Sequence, residues 1–172
     1  MIGLRPLRYM NRPRLFLSAG SEEFRTARQK VESILNSIGF DAITQDNFPT
    51  GHGELRNWLR EQIDSCEGLI QLVGTSYGAE PPKIDEEYGR VSYTQFEFLY
   101  ACDRKIKTWI IVIKDDFIRD KPIDKLDLPR ETTHPDPLCY QTERRKLQQN
   151  YLDRLETITT CAITSVILPN WN

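Results

Sequence analysis

No apolar run in the sequence approaches the roughly 20 residues that a helix needs to span a bilayer. An excess of charge of one sign is missing too. With 23 basic and 25 acidic side chains the formal net charge is −2, which gives no global pull toward nucleic acid or a membrane surface. Only two histidines are present, His52 and His134, and they stand apart from the clustered His, Cys or carboxylate spacing that a zinc site requires. No metal site is expected. The four cysteines, Cys66, Cys102, Cys139 and Cys161, are widely spaced and include no C-x-x-C pair. In a chain of 172 residues they read as reduced core thiols rather than a disulfide framework, and imply an intracellular, cytoplasmic protein. The first residues lack the apolar core and small-residue cleavage pattern of a secretory signal. Residues 1–13 read as a basic flexible arm, with Arg5, Arg8 and Arg12 and no acid, ahead of one domain at 14–172.

What is present is an alternation of short apolar runs with helical patterns. Arg14–Ser18 suits a buried strand that ends in a Ser-Ala-Gly-Ser turn. Phe24, Ala27, Val31, Ile34, Leu35 and Ile38 then recur at helical spacing, with Ser21 as N-cap, Glu22 and Glu23 in the first turn, and Gly39 as the stop. Phe40–Thr44 is a second strand, with Asp46 as a turn former at its end. Glu54–Ser65 is a second helix with Leu55, Trp58, Leu59 and Ile63 inward. Gly68–Gly74 is a third strand, followed by a polar loop over Thr75–Val91 whose Asp85-Glu86-Glu87 run reads as solvated. A helix from about Ser92 to Arg104 leads to the strand Trp109–Ile113. Asp115–Tyr140, with four prolines, is loop-like. A helix over Thr142–Thr157, with Glu143–Lys146 on a charged outer face, precedes a last apolar stretch, Ile163–Leu168. This alternation predicts an α/β domain with a five-stranded parallel sheet flanked by helices, in the flavodoxin-like order 2-1-3-4-5.

That order places a ligand beyond the carboxyl ends of strands one and three, where the loops Ser18–Ser21 and Thr75–Gly78 lie. Glu97 stands on the helix entered after the second loop. Two readings of this carboxylate compete. Thr94-x-x-Glu97 fits a capping box, in which hydroxyl and carboxylate satisfy free amides at the helix start. A lone acid among Tyr93, Phe96, Phe98 and Tyr100 also suits a catalytic group whose charged form is tuned by burial. Ser18–Ser21 offers amides and hydroxyls to a diphosphate, and Gly78 suits a turn with positive φ.

Arg14–Ser18, Glu22-Glu23-Phe24 with Arg28, Leu69–Gly78 and Ser92-Tyr-Thr-x-x-Glu97-Phe-x-x-Ala101 together resemble a TIR-like family of domains. Its members are often found at the N-terminus of larger NTPase or repeat-bearing signalling proteins. The resemblance covers about Arg14–Ile113. It implies an NAD+ glycohydrolase that acts in defence or stress signalling, with NAD+ as substrate, no prosthetic group, and self-association or further domains as partners. By the same resemblance Glu97 is the catalytic carboxylate, and Ser18, Gly20, Ser21, Phe48, Tyr77, Gly78 and Tyr93 line the cofactor cleft, where the rings of Phe48, Tyr77 and Tyr93 can stack on a base. The F-E-x-x-x-A helix is also similar to that of nucleoside deoxyribosyltransferases, which likewise act at a glycosidic C–N bond. The alternative outside enzymology is a non-catalytic TIR-like interaction and oligomerisation module.

Overall fold

The β1 strand, Arg14–Ala19, is buried from Leu15 onward, as a strand covered on both faces must be. The structure, a computed structural model, describes residues 12–47, 54–157 and 162–163. Most of the predicted basic arm, and Phe48, lie outside them. After β1 the chain continues through α1 (Ser21–Ser37), β2 (Asp41–Thr44), α2 (Leu55–Asp64), β3 (Gly68–Val73), α3 (Tyr93–Asp103), β4 (Lys107–Val112), α4 (Pro137–Thr157) and β5 (Ala162–Ile163). All strand pairs are parallel, in the order β2-β1-β3-β4-β5. Four strands of four to six residues carry the sheet. The fifth is a two-residue edge, with Ala162 beside Trp109 and Ile163 beside Ile110. The rest of the expected last strand lies outside the described residues.

The period of two along each strand sorts the core. Leu17, Ala19 and Leu72 pack with Phe24 of α1 on one face. Phe16, Leu69 and Val73 pack on the other face with Trp58 and Leu59 of α2, Phe96 and Phe98 of α3, and Tyr151 and Leu155 of α4. The same alternation brings Ser18 and Gln71, direct partners in the β1–β3 register, onto that second face. A polar pair therefore sits inside an otherwise apolar layer.

Several local expectations shift. The N-cap of α1 is Gly20, with no side-chain cap bond; Ser21 is the first helical residue, and its hydroxyl accepts from Arg28 instead. Ile34 and Ile38, expected inside, are exposed, Ile38 because it is the C-cap residue beyond the last packed turn. Gly39 does end the helix, at φ +101°. α4 begins at Pro137 rather than Thr142. Asp136 accepts the Cys139 amide at 2.9 Å, and a proline in the first helical position costs no hydrogen bond.

Gly74, just past β3, has no room for a side chain, because the Glu23 carboxylate and the Phe24 ring occupy the place where Cβ would go. Gly74→Ala is expected to cost about 2–3 kcal/mol through overpacking. Gly20→Ala, which meets nothing within 4 Å, is expected to cost under about 1 kcal/mol. Thermal melts of the two variants check the contrast.

Candidate functional site

A cleft of about 740 Å³ opens where β1 and β3 end. Gly20 and Ser21 of the β1–α1 turn, Ser76 and Gly78 of the β3–α3 loop, and Tyr93 and Thr94 of α3 line it. The segment before α4 and α4 itself complete it with Arg130, His134, Tyr140 and Arg144. Of the predicted cleft residues, Gly20, Ser21, Gly78 and Tyr93 are in its walls. Ser18 and Tyr77 are not: they are 1% and 0% exposed and stand behind the lining. Ser18 points into the helix-covered face of the sheet by strand alternation. The Tyr77 ring is covered by the Arg144 guanidinium, 4.9 Å from its centroid, and burial pushes the phenol pKa well up.

The loop after β3 is shaped by two buried carboxylates. Glu23 accepts the amides of Thr75 and Ser76, each at 3.0 Å, and pairs with Arg119 at 2.8 Å. Asp127 accepts the amides of Tyr77 and Gly78 at 3.2 and 3.1 Å and the Ser76 hydroxyl at 2.9 Å. Successive amides converging in this way make an anion site. Here the protein's own acids fill it, so a ligand phosphate has no place on this loop. Asp127 was not a sequence candidate; its φ of +60° is a backbone state that Asp tolerates better than most residues. Gly78 has φ +83°, as the turn requires.

Three charged groups are structural, and two of them, Asp85 and Arg144, fall in runs expected to be solvated. Arg28 is fully buried, donating to the Ala19 carbonyl and the Ser21 hydroxyl and pairing with Asp46 at 2.7 Å. Asp85 is buried, held by Arg56 and Arg60 and by the amides of Glu87 and Tyr88. Arg144 is buried between Tyr77 and Tyr140 and donates to the Gly78 carbonyl. Its spacing of four from Tyr140 was a readable signal; its pairing with Tyr77 was not.

Glu97 is not the cap. Helix α3 starts at Tyr93, so the box forms between Ser92 and Gln95: the Ser92 hydroxyl accepts the Gln95 amide, and the Gln95 side chain accepts the Ser92 amide. Glu97 lies one turn behind cleft-lining Tyr93 and Thr94, 1% exposed, and does not itself reach the cleft. Its surroundings are polar but taken. Gln71 donates to the Thr94 carbonyl at 2.6 Å and accepts from Tyr151 at 2.7 Å, and Gln95 bonds Gln148 at 3.0 Å. Neither Glu97 oxygen has a hydrogen-bond partner. Burial raises its pKa from 4.5 to about 7, and the nearby Ser18 hydroxyl and Arg28 guanidinium offset only part of that rise. The Ser18 hydroxyl is the larger of these two offsetting influences.

Fold and cleft together define an α/β domain with a ligand-sized opening at the switch point of a parallel sheet. The chain belongs to the family described as Domain of unknown function (DUF4062), whose model matches residues 14–162. That description carries no activity and no link to TIR-like domains. No curated protein matches the chain. Among solved structures it is similar to the crystal structure of a GDP-L-fucose synthetase from Naegleria fowleri, at 13% identity and a TM-score of 0.37, over 95% of this chain and 52% of that one. The chain thus spans about half the length of the synthetase, and a likeness this distant carries no functional argument. Among the described residues no helix is long and apolar enough to cross a membrane, and no group of three His, Cys, Asp or Glu side chains is placed to hold a metal ion.

Two outcomes follow from the buried acids. Because the folded-state pKa of Glu97 is raised, the native state binds the extra proton; stability is full below pH 4.5 and is lost as pH rises to about 7. The loss from this one group amounts to about 3 kcal/mol. Glu97→Gln is expected to abolish that part of the decline, seen as a flatter urea-unfolding free energy between pH 5 and 8. Asp127→Ala leaves two loop amides and a hydroxyl unpaired and is expected to cost about 2–4 kcal/mol, with Asp127→Asn costing less. Chemical denaturation at one pH compares them.

Proposed function

We propose that this domain is a TIR-like NAD+ glycohydrolase: the cleft takes NAD+, and Glu97 assists cleavage of the nicotinamide–ribose bond. The observation that carries this reading is the Glu97 carboxylate, buried, free of any capping role and without a hydrogen-bond partner, one helical turn behind the cleft. A buried carboxyl left unsatisfied destabilises the fold, and an apolar side chain would avoid that cost at a purely structural position. Breaking the glycosidic C–N bond builds positive charge on the ribose while the electron pair leaves with nicotinamide. A fixed carboxylate in a dry site stabilises that charge in the transition state more than in the ground state. Water then completes the reaction, giving nicotinamide, ADP-ribose and a proton. Since the carboxylate must be ionised, kcat/KM is expected to rise with pH through about 7.

In the described conformation Glu97 is closed off, so catalysis on this reading requires the start of α3 and the β1–α1 turn to part. The same burial favours a second reading, a non-catalytic interaction module. One variant separates them. Glu97→Gln is expected to keep or raise the melting temperature while lowering NAD+ hydrolysis at least about 100-fold. If the wild-type chain at high concentration with a crowding agent leaves NAD+ intact, the hydrolase reading fails. Base exchange on deoxynucleosides in the same chromatographic analysis would assign the chain a deoxyribosyltransferase activity instead.

A further inference from the structure

One wall of the cleft is made of flat groups held in place. The Arg144 guanidinium lies 4.9 Å from the centroids of both Tyr77 and Tyr140. His134 extends the series, its ring 5.1 Å from that of Tyr140 and tilted by 60°. Arg144 and His134 are held by side-chain bonds, and Tyr140 packs between them. Arg144 is fixed by the Gly78 carbonyl and Glu80, the His134 Nδ1 accepts the Asp136 amide at 3.2 Å, and the Tyr140 amide donates to the Asp136 carbonyl. Tyr77 at the inner end is fully buried, whereas Tyr140 and His134 are half-buried and face the cleft. An aromatic surface left partly open and packed against held neighbours offers contact area at a reduced ordering cost. The cation packed against Tyr140 also draws electron density from that ring, which favours stacking by an electron-rich heterocycle. Arg130 lines the same cleft with no ion pair among the described residues and, although Glu22, Glu80 and Glu131 line it too, supplies positive charge for a phosphate.

We propose that the Tyr140–His134 surface binds the purine base of a nucleotide. The proposal rests on the reading that the cleft takes NAD+. It moves the stacking role from Tyr77, whose ring is covered, to residues at the start of α4 and just before it, with Tyr93 in the same cleft.

Binding of AMP and of ribose 5-phosphate to the 172-residue chain, measured by calorimetry, isolates the base. The wild type is expected to bind AMP more tightly than ribose 5-phosphate. Tyr140→Leu and His134→Ala are each expected to weaken AMP at least about tenfold and to leave ribose 5-phosphate unchanged. Tyr140→Phe, which keeps the ring, is expected to bind as the wild type does. Melting temperatures show whether each variant is folded, and His134→Ala tests the surface independently should loss of the Tyr140 ring unfold α4. AMP binding no tighter than that of ribose 5-phosphate, or unchanged in both variants, overturns the proposal. NAD+ hydrolysis is scored on the same proteins. Intact hydrolysis with unchanged AMP binding in the variants sinks the base site alone. Absent hydrolysis with an aromatic-dependent AMP site sinks the hydrolase alone.

Discussion

Two buried carboxylates hold four consecutive backbone amides, and the candidate site takes its shape from that arrangement. Thr75, Ser76, Tyr77 and Gly78 all donate to Glu23 or Asp127. The chain leaving β3 must turn from the sheet toward the start of α3 without burying unpaired N–H groups. Glu23 comes from the first turn of α1 and Asp127 from the segment between β4 and α4, so elements far apart in sequence converge on one loop. Arg119 compensates the Glu23 charge from a third direction. Cutting any one of these ties leaves buried donors or a buried charge exposed to its own desolvation cost. The loop is therefore part of the core in energetic terms, although it has no regular structure.

Against that background Glu97 is the exception among the buried acids. Glu23, Asp85 and Asp127 each accept several hydrogen bonds. Glu97 accepts none. The difference is one of position: the other three face loop amides that need an acceptor, while Glu97 projects from the middle of a helix whose own amides are already bonded. Its neighbours Gln71, Thr94 and Tyr151 satisfy one another, and the Ser18 hydroxyl offsets only part of the cost of burying the carboxyl. Raising the pKa is the response open to it.

Much of the scaffold was readable because its signals are local. The apolar runs at Leu15–Leu17 and Leu69–Val73, the helical spacing of Phe24, Ala27, Val31 and Leu35, and the stop at Gly39 each depend on near neighbours in sequence. The rim at the β1 and β3 ends followed from strand order, and Gly20, Ser21, Gly78 and Tyr93 were found there. Where two local patterns tied, the sequence could not choose. Ser92-x-x-Gln95 and Thr94-x-x-Glu97 have the same spacing and the same chemistry, and two residues of register decided which became the box. Pro137 marks a loop and a helix start equally well. Contacts across long separations left no pattern at all. Asp127 meets residues about fifty positions earlier, and Arg144 meets Tyr77 from a similar distance, so an acid in a loop and an arginine in a charged run looked like solvated surface.

The anchoring also determines which wall can yield. The β3–α3 loop is pinned through every amide from Thr75 to Gly78, and the start of α3 is held by its box and by Gln71 on the Thr94 carbonyl. The β1–α1 turn is held differently. Gly20 caps α1 with no side-chain bond, and a Cβ there would meet open space. What restrains the turn is Arg28, which grips the Ala19 carbonyl and the Ser21 hydroxyl. Its ion-pair partner among the described residues, Asp46, is 49% exposed, and its Nε has no partner. A buried guanidinium paired with a half-exposed acid is held less firmly than the Glu23–Arg119 pair, since solvent screens it more. On the hydrolase reading, access to Glu97 would come from the Ala19–Ser21 turn rather than from the pinned β3–α3 loop.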